Sequence, residues 1–211
     1  MLNIFAGYDG RQDDGWRVFE KSLMATTPMP YALTPMTGSL RGTTAFTECR
    51  YLVPYWMGYK GSAIVVDGSD MMLREDLNKL AQYFDPIFAC QVVMHEYKTS
   101  DKRKYRGSPM EADNFDYPRK NWTSVMLVNS AHRAWRVLTP ETLKIYTPEG
   151  LHRLAFIEDR FIGGLPSEWN YLVGETYPVR GDAKLVHFTL GIPGLAHYHN
   201  SEYADEWRQY L

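Results

Sequence analysis

Short continuous apolar runs alternate along the chain with stretches of helical spacing. Leu2 to Tyr8 is apolar and ends in Gly7-Tyr8-Asp9-Gly10, the pattern of a buried first strand closing in a tight turn. Trp16, Phe19, Leu23 and Met24 recur at helical intervals within Asp13 to Ala25, and Thr26-Thr27-Pro28 stops that helix. Tyr31 to Met36 reads as a second strand, which its prolines restrict to a sheet edge. Residues 43–58 place Phe46, Arg50, Val53 and Met57 on roughly one face and predict a helix, with Pro54 positioned to kink it.

Ser62 to Val66 is a buried-strand run that breaks off at Asp67-Gly68-Ser69-Asp70. A helix over 75–83 and a strand from Ile87 to Met94 follow. Lys98 to Asn121 is polar, with Pro, Gly and a basic cluster, and reads as a long functional loop or flap. Thr123 to Val128 is a further strand, Thr139-Pro140 and Thr147-Pro148 have the form of helix N-caps, and Lys184 to Thr189 is a late strand before a terminal helix. Strands interleaved with helices predict an α/β fold with a mostly parallel central sheet flanked by helices, in one domain over residues 1–211.

Composition narrows the function classes. The chain has 211 residues, 45% of them hydrophobic, which suffices for a sizeable core, and its 15 Tyr and 6 Trp suit a cleft that stacks on sugars or a nucleobase as well as they suit an aromatic core. A net charge of −2 gives no general attraction to nucleic acid or to an anionic membrane. Cys49 and Cys90 match no zinc or redox spacing and read as buried thiols of a reducing compartment; with no signal sequence or membrane span, the expected location is cytoplasmic. A Walker A sequence, a Gly-x-Gly-x-x-Gly after the first strand and a Gly-x-Ser-x-Gly elbow are all missing.

The candidate chemistry starts at Asp67 and Asp70. They close an apolar strand, where open α/β sheets bind ligands, and two carboxylates this close repel one another unless a cation sits between them. Asp-Gly-Ser-Asp is also ordinary turn chemistry. His187, alone, reads more readily as a hydrogen-bonded core histidine. His197 and His199 lack acidic neighbours at fitting spacing and read as surface residues. Arg50, on an otherwise apolar face, requires a carboxylate or phosphate partner, with Asp67 and Glu158 as the candidates.

Several segments, in order, resemble GT-A glycosyltransferases, and specifically the small bacterial and phage relatives of glycosyltransferase family eight. Asn3 to Asp9 resembles the first strand, whose end cradles the nucleoside; Thr47 to Pro54 resembles the helix carrying an arginine toward the donor sugar. Ala63 to Met72 with Asp76-Leu77 is similar to the strand and DXD motif, and Tyr117 to Leu127 to the segment lining the sugar pocket. Glu158-Asp159 and Leu165-Pro166-Ser167-Glu168-Trp169-Asn170 look like the later acidic and Leu-Pro-x-x-Trp-Asn elements, and Val186 to Gly191 like the closing strand whose histidine completes the metal site. The chain departs from the pattern twice. Its acidic motif is one residue longer than Asp-x-Asp, and Gly191-Ile192-Pro193-Gly194 stands where family eight places a lysine.

The resemblance implies a metal-dependent enzyme that transfers a hexose from a UDP-sugar, UDP-glucose or UDP-galactose, to a hydroxyl acceptor, a glycan or another, with retention favoured. It implies Mn²⁺, with Mg²⁺ as substitute, held by Asp67, Asp70 and His187, Asp67 binding either the metal or the ribose. Ala6, Tyr8, Asp9, Gly68 and Ser69 would meet the nucleotide, Arg50 the donor sugar, and Glu158 and Asp159 the anomeric carbon, as a general base in an inverting enzyme or as a steadying charge in a retaining one. The basic cluster Asp101 to Arg106 is a solvated loop or a closure over the diphosphate that replaces the absent lysine. Two rivals stand beside this reading, a non-catalytic nucleotide-sugar or carbohydrate-binding protein and a sugar nucleotidyltransferase. Oligomeric state is left open.

Overall fold

A computed structural model describes residues 1–38, 41, 43–175 and 182–211. Strand β1 (Leu2–Gly7) is followed by helix α1 (Asp13–Thr26) and strand β2 (Tyr31–Met36). Helix α2 (Val53–Trp56) precedes strands β3 (Ser62–Val66) and β4 (Met71–Leu73), helix α3 (Leu77–Ala81) and strand β5 (Cys90–Val92). A small hairpin of β6 (Arg103–Lys104) and β7 (Ala112–Asp113) leads to β8 (Val125–Asn129), α4 (Pro148–His152) and β9 (Ile162–Gly164). Strands β10 (Tyr171–Leu172) and β11 (Leu185–His187) and helix α5 (Ala204–Gln209) complete the described elements.

The main sheet runs β2-β1-β3-β8-β5-β9. β1 pairs parallel with β2 and β3, and β5 with β9, whereas β8 is antiparallel to both neighbours. The predicted α/β fold with its mostly parallel sheet is therefore present, and β2 lies at the edge that its prolines require. The faces of β3 and β8 are buried on both sides, by one apolar cluster around Phe46, Trp135 and Leu151 and another around Trp16, Phe19 and Trp169. This is why these strands read as unbroken apolar runs.

A second sheet, β10-β11-β4, brings the chain's last third against the strand that follows the acidic turn. β11 runs antiparallel to β4 with His187 opposite Met71, and the Phe188 N–H donates to the Asp70 carbonyl at 2.8 Å. The register thus sets His187 beside Asp70 across 117 positions of sequence.

The 43–58 helix is corrected. The chain turns through 43–48, makes a tight 3-10 turn over Cys49–Leu52 and is α-helical only over Val53–Trp56. Pro54 has no N–H to donate to Arg50, so a regular helix cannot run through, and left-handed Gly58 (φ 61°) and Tyr59 (φ 56°) end it. Helix α3 is shorter than 75–83, starting where the Asp76 side chain accepts the Asn78 N–H, and Thr147 caps α4 through the Gly150 N–H. Cys49 and Cys90 are buried thiols that form no disulfide among the described residues, and His197 and His199 are exposed.

Candidate active site

The carboxyl end of β3 and the acidic turn floor a cavity of about 250 Å³. The turn is held from behind. Ser69 N–H donates to the Gly7 carbonyl at 3.0 Å, and the Ser69 hydroxyl accepts the Asp9 N–H at 3.0 Å. Gly68 takes φ 71° with its Cα so close to β1 that a Cβ would stand 2.4 Å from the Gly7 carbonyl oxygen. Only glycine fits there.

Asp67, Asp70 and His187 offer one ligand atom each, all within 4.8 Å of one another. His187 Nε2 lies 3.5 Å from Asp70 Oδ2 and 3.9 Å from Asp67 Oδ2. Its other nitrogen, Nδ1, is 3.1 Å from Asn170 Oδ1. The Asn170 amide nitrogen donates to the Asn121 carbonyl at 3.1 Å and to the Ser124 hydroxyl at 2.8 Å, while that hydroxyl donates its own proton to Asn121. The amide oxygen must therefore face His187, so Nδ1 carries a proton and Nε2 is the nitrogen turned toward the acidic pair. Asp70 Oδ1 is buried without a hydrogen-bond partner. Burial and the neighbouring Asp70 charge push the Asp67 carboxyl above the usual carboxylate range. An imidazole nitrogen, an orphaned carboxylate oxygen and two crowded carboxylates are a donor set that a divalent cation satisfies, so the residues fit one.

Arg50 is 4% exposed and donates to Asp67 and to the Thr123 carbonyl, the latter at 2.8 Å. Burial works against its charge, but Asp67 more than offsets this and holds the guanidinium pKa above its ordinary value. Of its two candidate partners, Asp67 is the one it meets. Glu158 and Asp159 do not reach the cavity. Their side chains are 62% and 80% exposed and pair with Arg160 and Arg119, because the turn that carries them lies at the start of edge strand β9. Neither residue lines the first cavity.

The nucleotide-facing set is only partly at the cavity. Ala6 is buried within β1, and Tyr8 packs edge-on against Trp16 with its ring centroid 5.3 Å away. The Asp9 carboxylate is consumed by Arg11 and the Ala45 N–H. Asp9, Gly68 and Ser69 act in this structure as the frame beneath the acidic turn.

The opposite wall comes from the 98–121 segment, which crosses the cavity as a strap. Tyr105 is 3% exposed and its hydroxyl lies 3.4 Å from Asp70 Oδ2, the Lys104 side chain lines the cavity, and Lys120 donates to Asn114 and, at 2.9 Å, to the Phe115 carbonyl. Burial pulls the Lys120 pKa down to about 8. The remaining basic residues of the cluster turn outward: Arg103 pairs with Glu111 and Asp113, and Arg106 with Asp101. His152 closes the far end. Burial, reinforced by Arg50, lowers its pKa to about 3, so it is neutral, and its Nδ1 shares a hydrogen bond with the Tyr51 hydroxyl at 3.0 Å. A second cavity of about 410 Å³ shares Phe115, Tyr117 and His152 with the first and extends to Pro118 and Glu149. Sequence reading pointed to the strap through its basic density but had no signal for His152, which α4 delivers from far along the chain.

The same arrangement of elements occurs in solved glycosyltransferases. The chain aligns with the galactosyltransferase LgtC, crystallised with donor and acceptor sugar analogues, at a TM-score of 0.63 and 13% identity over 99% of this chain and 95% of that one. It aligns with the glycosyltransferase GlyE of Streptococcus pneumoniae TIGR4 at a TM-score of 0.64 and 13% identity, over 99% of this chain and 59% of that one. At such identities the likeness is one of fold, and that fold is GT-A. No family model matches the sequence. Protein CDI of Arabidopsis thaliana is 33% identical over 223 residues, covering 98% of this chain and 84% of its own length. The chain therefore belongs to the same family as the plant Protein CDI.

Proposed function

We propose that this protein is a metal-dependent glycosyltransferase that moves a hexose from a UDP-sugar to a hydroxyl acceptor. The observation that carries the reading is the Asp67, Asp70 and His187 set at the carboxyl end of β3, with His187 Nε2 turned toward the carboxylates and Nδ1 held by Asn170. The GT-A fold, shared with enzymes that act on sugar donors and acceptors, supports it.

A bound Mn²⁺ or Mg²⁺ would supply Lewis-acid stabilisation of the departing diphosphate. The chain's own residues do the rest. Asp67 is oriented by Arg50, Asp70 by its backbone bond to Phe188 just past β11, and Arg50, which lines the cavity, would meet the donor sugar. The donor occupies the first cavity, and the acceptor enters through the second, where Phe115 and Tyr117 give aromatic faces to a sugar ring and Glu149 a carboxylate to its hydroxyls. With Glu158 and Asp159 outside the cavity, no carboxylate beyond Asp67, Asp70 and strap residue Asp113 lines it among the described residues.

Calorimetric titration of UDP checks the reading. With Mn²⁺ present, UDP binds the wild type, and EDTA or His187→Ala weakens binding by about a hundredfold. UDP affinity that is the same with Mn²⁺ and with EDTA would overturn metal-dependent donor binding.

A further inference from the structure

Among the described residues three cations line the first cavity, and two are already engaged: Arg50 by Asp67, and Lys120 by Asn114 and the Phe115 carbonyl. Lys104 differs. Among the described residues its ammonium has no hydrogen bond or ion pair, and its contact is with the face of the neighbouring Tyr105 ring, 5.2 Å from the centroid. A half-buried ammonium without an anion is unfavourable, and burial draws its pKa below the ordinary lysine value although Asp70 and Asp67 pull the other way.

The backbone holds Lys104 in that position at a cost. It is paired in the β6–β7 hairpin opposite Ala112, and the next residue, Tyr105, is forced to φ 55°, a left-handed conformation unfavourable for a bulky side chain. The Tyr105 N–H donates to the Leu190 carbonyl at 2.6 Å, and its hydroxyl reaches Asp70. The strap is thus tied at Leu190 and at the acidic turn, with Lys104 between, facing the same space as Asp67 and Asp70.

We propose that Lys104 is the cationic ligand of the donor's diphosphate, carried on the strap from outside the two sheets. The assignment rests on the sugar-nucleotide reading of this cavity. It selects one residue from the basic cluster of 101–106: Lys102 is exposed, and Arg103 and Arg106 are committed to carboxylates. A flexible ammonium suits a phosphate oxygen whose position shifts as the leaving group departs.

The test compares Mn²⁺-dependent binding of UDP, UMP and inorganic pyrophosphate to the wild type, Lys104→Met, Lys104→Arg and, as a control, Lys102→Met, with Mn²⁺ affinity measured separately. Lys104→Met is expected to weaken UDP and pyrophosphate by about ten- to a hundredfold and UMP by less than about threefold. Lys104→Arg and Lys102→Met should stay near the wild type. Equal losses for UDP and UMP would overturn the assignment, as would unchanged UDP and pyrophosphate binding with much tighter Mn²⁺ binding, which would make Lys104 a mere counter-ion of the aspartates. If the wild type binds pyrophosphate through Lys104 but no uridine nucleotide, the UDP-sugar reading falls and the Lys104 assignment stands. If neither ligand binds, both fall.

Discussion

The Asn170 amide is locked by the Asn121 carbonyl and the Ser124 hydroxyl, so its oxygen is the atom that meets His187. Removing that acceptor would free the imidazole to rotate and to place its proton on Nε2, where it would block a cation. Asn170→Ala should therefore weaken Mn²⁺ binding about ten- to a hundredfold, while Asn170→Asp, which keeps an acceptor for Nδ1, should retain most of it. Calorimetry with Mn²⁺ alone reads the difference, and comparable losses in both variants would reduce Asn170 to a packing role. A second residue-scale consequence is at Gly68, where φ 71° and the 2.4 Å approach to Gly7 admit no Cβ. Gly68→Ala should cost about 2–4 kcal/mol in urea denaturation. His152 sets a pH dependence: it takes a proton near 6.5 when unfolded but only at about 3 when folded. Between those values the unfolded state binds more protons, so the His152 contribution to stability is intact above about 6.5 and declines as pH falls toward 3. Denaturation midpoints measured from pH 7 to pH 4 should fall less steeply in His152→Asn than in the wild type.

The elements differ in how plainly the sequence announces them. β3 and β8 are buried on both faces, so their apolar runs are continuous and their positions can be read directly, and β1 adds buried Ile4 and Ala6 to the same pattern. Asp67 and Asp70 were legible for the same reason, because an abrupt change from Val66 to acid and glycine marks a strand end. The 43–58 segment misleads because its apolar spacing is helical while Pro54 and the bonds of Arg50 to Thr47 and Thr123 draw it into turns. The same bonds deliver Arg50 to Asp67 as expected, so the site residue was legible where its element was not. Glu158 and Asp159 show the converse. An acidic pair before a strand looks alike in sequence whether that strand is central or at an edge, and only the sheet order puts β9 at the rim.

Across the whole molecule, two sheets meet at the cavity: β3 supplies its acidic end, and β11, through its pairing with β4, supplies the histidine. The strap then crosses both. No helix among the described residues is long and apolar enough to span a membrane. The family relationship to Protein CDI extends over nearly the full chain, so this assembly of sheets and strap is to be expected in that relative too. Whether this junction is a catalytic donor site is read from UDP release with a panel of UDP-sugars, using wild type and Asp70→Ala with Mn²⁺ or EDTA. Release is expected from at least one UDP-hexose, abolished by EDTA and reduced by about a thousandfold or more in Asp70→Ala. Release that survives both treatments, or tight metal-dependent binding of UDP-sugars without any release in the presence of hydroxyl acceptors, would contradict that role.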